Sequence, residues 1–225
     1  MKRFLRTQCC AIALLILAAI AVNAQDELHQ TYPLSANGTV SLSNVSGPVR
    51  ITSWNENRVQ VDAVKRGNRE DFALVEFRVT DSPERLQIET ISQRTNWRGN
   101  RNVWVEYDLK VPRSAVLNPI TTTSGNITIN DAGSRVVARS TSGDVTLRGI
   151  NGDTKVSVTS GNISAERMGG ALAITSTSGD LHINEVSANL TATTTSGNIT
   201  AIDLRADVSV AATSGDIRVE RASGR

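Results

Sequence analysis

Thr141-Ser142-Gly143-Asp144-Val145-Thr146-Leu147 is followed eighteen residues later by Thr159-Ser160-Gly161-Asn162-Ile163-Ser164-Ala165, and after the same interval by Thr177-Ser178-Gly179-Asp180-Leu181-His182-Ile183. The glycine of this string recurs as Gly125, Gly143, Gly161, Gly179, Gly197 and Gly215, always at that stride. A fixed period marks a repeat architecture, in which each unit is too small to bury its own apolar face and stacks on its neighbours.

The apolar residues keep the register of the glycines. One column runs Ile127, Val145, Ile163, Leu181, Ile199, Ile217, and two residues later a second runs Ile129, Leu147, Ala165, Ile183, Ala201, Val219. Further columns start at Ala132, Val136 and Ala138. Steps of two residues are strands with alternate side chains on one face. The longer steps are corners, and Thr-Ser-Gly-Asn/Asp is corner chemistry: glycine permits positive φ, and Asn or Asp bonds neighbouring backbone. One unit therefore reads as one coil of a parallel β-solenoid with two or three short sides.

The residue after each glycine alternates: Asn126, Asp144, Asn162, Asp180, Asn198, Asp216. Coils one strand spacing apart, about 4.8 Å, would stack identical aspartates as like charges. Alternation doubles that gap to about 9.6 Å, near the screening length of ordinary salt. On this reading Asp180→Asn stabilises or does nothing.

Upstream of residue 120 the rule of eighteen lapses. Val103, Val105, Tyr107, Leu109 and Val111 alternate against Trp104, Glu106, Asp108 and Lys110, the clearest long strand, which Pro112 ends. Phe72–Thr80 and Arg85–Ile91 read as strands joined by a turn at Asp81-Ser82-Pro83-Glu84, although Phe72-Ala73-Leu74-Val75 also suits a short helical turn. Beyond the first 24 residues, every aromatic and every proline lies before residue 120. The expected layout is a leader over 1–24, a partly antiparallel β module over 25–120 that caps the stack, and solenoid repeats over 121–225. The far end, Ile217-Arg218-Val219-Glu220-Arg221, shows no cap.

The leader reading rests on Lys2, Arg3 and Arg6, an apolar run from Ala11 to Val22, and the small-residue cleavage pattern Val22-Asn23-Ala24. It makes the protein exported, to periplasm, outer surface or beyond, without a transmembrane span after cleavage. Both cysteines, Cys9 and Cys10, leave with the leader, and so do three cations, which takes the formal charge from +2 to −1. A nucleic-acid partner is not implied.

Gly38-Thr39-Val40-Ser41-Leu42, then Gly47-Pro48-Val49-Arg50-Ile51-Thr52-Ser53-Trp54, then the Thr-Ser-Gly-Asn/Asp series resemble the bacterial β-strand-repeat proteins described as adhesins. The resemblance covers residues 38–220. It implies an envelope or surface solenoid and supplies no catalytic residues.

Enzymatic chemistry finds little support. His29 and His182 are the only histidines, and His182 points outward between Leu181 and Ile183. Asp144, Asp180 and Asp216 form a column at 36-residue intervals rather than a close acid pair of the kind glycosidases use. A polysaccharide-acting β-helix enzyme stays the alternative of a different class. A calcium turn needs six to eight oxygens around each ion, and one Asp on every second coil does not supply them. No cofactor or metal is expected. Thr123, Thr141, Thr159, Thr177, Thr195 and Thr213 form an outward column that would suit ice or a flat polymer, although threonine is also good strand chemistry. Arg94, Trp97, Arg98 and Arg101, in the loop 92–102, are the candidate contacts for a surface glycan or envelope polymer. The function expected is a non-enzymatic, adhesin-like scaffold working through repeated Ser/Thr faces.

Overall fold

The computed structural model describes residues 26–93 and 102–224. The expected leader, with Cys9 and Cys10, and the loop residues Arg94, Trp97, Arg98 and Arg101 lie outside the described residues.

Strand β1 (Glu27–Pro33) is followed by β2 (Thr39–Ser46), β3 (Val49–Trp54) and β4 (Arg58–Gly67). A 3-10 turn, Arg69–Leu74, is capped by Asn68, whose side chain accepts from the Glu70 N–H; it takes up the Phe72–Leu74 segment, so the next strand, β5, spans Val75–Ser82. Then come β6 (Arg85–Ser92), β7 (Val103–Pro112), β8 (Val116–Ser124) and β9 (Ile127–Asn130). The repeats supply β10 (Val136–Ser142), β11 (Val145–Arg148), β12 (Thr154–Ser160), β13 (Ile163–Met168), β14 (Leu172–Ser178), β15 (Leu181–Val186), β16 (Leu190–Ser196), β17 (Ile199–Leu204), β18 (Val208–Ser214) and β19 (Ile217–Ala222).

Each coil has two sides. The strand before the Thr-Ser-Gly corner belongs to one sheet, here sheet B, and the strand after it to the other, sheet A. Sheet A is ordered β1-β4-β7-β3-β9-β11-β13-β15-β17-β19, and sheet B β18-β16-β14-β12-β10-β8-β2-β6-β5. From β8 to β19 all pairing is parallel, and from β9 on it is in register: Val145 sits beside Ile127 and Ile163, and Leu181 beside Ile163 and Ile199. The columns read from the sequence are thus the core, and Ile127, Val145, Ile163, Leu181 and Ile199 are fully buried between the sheets. One slip occurs in β8, where Asn118-Pro119 inserts a residue opposite Val137; proline in a strand is tolerated at such a bulge.

The N-terminal strands continue both sheets. β2 and β3 form a rung of their own, parallel to β8 and β9 on one side and to β6 and β7 on the other. Antiparallel pairing is confined to β1–β4, β4–β7 and the β5–β6 hairpin. Tyr107 fills the core there; its hydroxyl shares a 2.7 Å hydrogen bond with Thr90, and burial drives its ionisation far above the ordinary tyrosine range. Lys65 is buried nearby, donates from Nζ to Phe72 O at 3.1 Å and lies 5.3 Å from the Phe77 ring centroid; burial lowers its pKa.

Candidate binding face

The corners fix how the outer faces are presented. Gly125, Gly143, Gly161, Gly179, Gly197 and Gly215 all have positive φ, between 132° and 156°. They stack so closely that a Cβ on Gly161 would stand 2.4 Å from the Gly143 carbonyl oxygen. Gly47 heads the same column, 2.1 Å from where a Cβ on Gly125 would sit. Beside the glycines runs a ladder of side chains. Asn126 Oδ1 accepts from the Asp144 N–H at 2.9 Å, Asp144 Oδ1 from Asn162 at 2.8 Å, Asn162 Oδ1 from Asp180 at 2.9 Å, and so on to Asp216. Every corner therefore needs an acceptor at Oδ1, which Asn and Asp both provide.

The second corner has a stack that the sequence did not announce. Asp131, Arg167, Glu185, Asp203 and Arg221 hold φ between 51° and 59°, and Gly149 completes the column at 66°. Here a left-handed position is occupied by charged residues, of which Arg221 and Asp203 pair between coils: Arg221 donates from Nε and Nη2, with Nη2–Oδ2 at 3.0 Å. One residue before this column, Arg148 lies 3.4 Å from Glu166 of the next coil. The hydrogen bond from Arg221 holds the Asp203 carboxyl below its usual range.

A polar column just inside the glycine corner likewise has no marker in the sequence. Asn44, Thr122, Ser140, Ser176 and Thr194 are buried in the line that Val158 shares. Asn44 Nδ2 reaches the carbonyls of Ser46, Gly47 and Val105 at 3.0–3.1 Å, and Thr194 donates to Ser196 O at 3.3 Å. The hydroxyls of Thr122, Ser140 and Ser176 have no partner among the described residues.

These corners leave two outward faces. On sheet B, Thr123, Thr141, Thr159, Thr177, Thr195 and Thr213 are all exposed in a straight column. A second column holds Thr121, Arg139, Ser157, Thr175, Thr193 and Ala211, paired in register from coil to coil. On β16 three threonines, Thr191, Thr193 and Thr195, face out together. Neighbouring hydroxyls are thus set about 4.8 Å apart between coils and about 6.7 Å apart along a strand.

Sheet A is more charged. His182, flanked in register by Ser164 and Thr200, lies in an open hollow of 420 Å³ with Glu166, Asn184 and Arg221. At the other end of the sheet, His29 Nδ1 is 2.8 Å from Asp62 Oδ1 and its Nε2 is 3.2 Å from Glu27 Oε2. The Asp62 bond, then the Glu27 bond, raise the His29 pKa above 6.5. Burial opposes ionisation of Asp62, but hydrogen bonds from His29 and Gln60 outweigh it and lower its pKa. Two cations lie over the Trp54 ring, Arg58 at 5.4 Å and Lys110 at 5.8 Å from its centroid. Among the described residues no group of three His, Cys, Asp or Glu side chains could hold a metal ion. No described helix is long and apolar enough to cross a membrane.

The profile of one family, Toastrack DUF4097, matches residues 37–224. The chain belongs to that family. The Toastrack match takes in the β2–β3 rung and all the later coils. Among solved structures, a proposed adhesin from Bacteroides fragilis is similar at 16% identity, covering 88% of this chain and 94% of the other, with a TM-score of 0.52. That likeness shows a shared fold. A proposed cell adhesion protein from Clostridium sporogenes (10% identity, 88% and 100% covered, TM-score 0.45) and a proposed lipid binding protein from Parabacteroides distasonis (10%, 88% and 96%, 0.44) score too low to carry an argument. No curated protein matches the chain.

Proposed function

We propose that this Toastrack protein is a non-enzymatic, adhesin-like scaffold, exported to the envelope or cell surface, that holds a polymer on the outer face of sheet B. The observation that carries this reading is the exposed threonine lattice of β14 and β16: Thr175, Thr177, Thr191, Thr193 and Thr195 stand on one in-register sheet. A hydroxyl on such a sheet makes one weak bond. Several at a fixed spacing engage a repeating chain together, and each contact made raises the effective concentration for the next. The name given to the Bacteroides fragilis structure fits this reading.

Retention of the purified chain on a glycan array and on insoluble envelope polysaccharide tests it. The wild type should be held, and Thr175→Glu with Thr193→Glu should weaken retention at least about tenfold, the size of two or three lost contacts. Retention on no polymer, or retention indifferent to both substitutions, overturns the assignment to this face. Fractionation of the producing cell tests export: the chain should appear outside the cytoplasm without residues 1–24.

A further inference from the structure

The two ends of the stack are finished differently. At the N-terminal end the outermost strands are β1 and β5. Glu27, His29 and Pro33 stand on β1, and proline has no N–H to offer a neighbour. At the other end β18 and β19 are edge strands of sheets B and A among the described residues. Their inward residues continue the core columns without cover. Ile217 is 44% exposed and Val219 39%, whereas Ile199 and Ala201, one coil earlier, are fully buried. Val208, Val210 and Ala212 are only partly buried. Natural edges are usually blunted by proline, a bulge or an inward charge. Neither β18 nor β19 has a proline, and both pair with their inner neighbours without a register shift. The charges of β19 are Arg218 and Glu220, bonded to each other at 2.7 Å, and Arg221, which leaves the strand conformation at φ 51° and is tied back to Asp203 one coil earlier.

We propose that this end docks onto a second copy of itself, tail to tail about a twofold axis, with β19 antiparallel to β19 of the second copy and β18 likewise to β18. Direction favours this occupant. A twofold axis perpendicular to the stack and normal to the sheets reverses every strand and keeps each sheet in line with itself, so two parallel coils meet as antiparallel partners, the stronger kind of ladder. Charge favours it too. Placing Val219 opposite Val219 sets Arg218 opposite Glu220 of the second copy, and the same pair recurs across the axis. Oppositely charged residues facing each other across strands are stabilising, and like charges there are destabilising. The patch is self-complementary, as an isologous interface must be. A head-to-tail contact would set β19 against the blunted β1 edge and grow an open filament.

The test is the mass in solution of the full chain, expressed with its own leader, by light scattering at micromolar concentration. Wild type should be a dimer. Arg218→Glu sets Glu opposite Glu, and Glu220→Arg sets Arg opposite Arg. Each should weaken self-association about tenfold or more while circular dichroism stays that of the wild type. An equimolar mixture of the two variants should regain a dimer, as should the doubly reversed chain. Loss of the Arg218–Glu220 pair within one chain cannot produce that rescue. A monomeric wild type overturns the proposal, as do species that grow beyond the dimer with concentration, or a dimer that neither reversal weakens.

Discussion

Asp180 donates its backbone N–H to Oδ1 of Asn162 at 2.9 Å, one coil below, and its own Oδ1 accepts from the Asn198 N–H at 2.8 Å. The corner residue is therefore chosen first for an acceptor and only second for charge. Asp180→Asn keeps the acceptor and removes a carboxylate, so stability should be unchanged or slightly higher. Asp180→Ala strands the Asn198 N–H and should cost about 1 kcal/mol. Paired denaturant melts of the two variants separate the roles; a loss with Asn as large as with Ala would count against the ladder.

The two corners should respond oppositely to exchanges between glycine and larger residues. Gly161→Ala puts a methyl 2.4 Å from the Gly143 carbonyl oxygen at positive φ, and should destabilise by at least about 2 kcal/mol. Glu185→Gly releases a left-handed residue at φ 58° and should stabilise by up to about 1 kcal/mol, part of the gain being returned to the unfolded chain. The sign of each change in melting temperature is the readout.

Ser176 has a buried hydroxyl without a partner, in a line where the preceding coil carries Val158. Ser176→Val removes an uncompensated polar group and adds apolar burial. It should stabilise by about 1–2 kcal/mol. A destabilised Val variant with an intact spectrum would mean that the column is too narrow for the added methyl.

His29 is poised for a pH-dependent contact at the N-terminal edge. Its folded pKa lies above 6.5, so the stabilisation from its bonds to Asp62 and Glu27 is complete below the unfolded value and is lost as pH rises through the folded one. An NMR titration of the imidazole should give a midpoint above 6.5, and Asp62→Asn should move it down. A midpoint unmoved by that change would refute the coupling.

What the sequence disclosed and what it hid follow from locality. The stride of the glycines determined which side chains share a column, because a parallel in-register stack leaves each residue one choice of neighbour. The threonine lattice was legible for the same reason, by alternation alone. The number of sides was not: strands of four to seven residues fit either count, and only the two sheets decide. The second corner stayed hidden because Arg167 and Glu185 carry none of glycine's signal for positive φ. The buried hydroxyl line is hidden because Ser140, Ser176 and Thr194 have the composition of surface residues, and only the alternation carried one step further toward the corner turns them inward. The sheet A hollow around His182 depends on side chains from four coils and has no linear trace.

The rung formed by β2 and β3 is early in the chain yet central in the pile, with β6 and β7 laid against one flank and β8 and β9 against the other. A chain emerging N-terminus first cannot finish that rung as it appears. Residues 39–54 must wait until 85–130 have arrived on both sides. Growth by simple addition begins only after that clasp has closed, so a ribosome stall before residue 103 should leave a protease-sensitive fragment, while a stall at a later coil boundary should leave a shorter but folded rack.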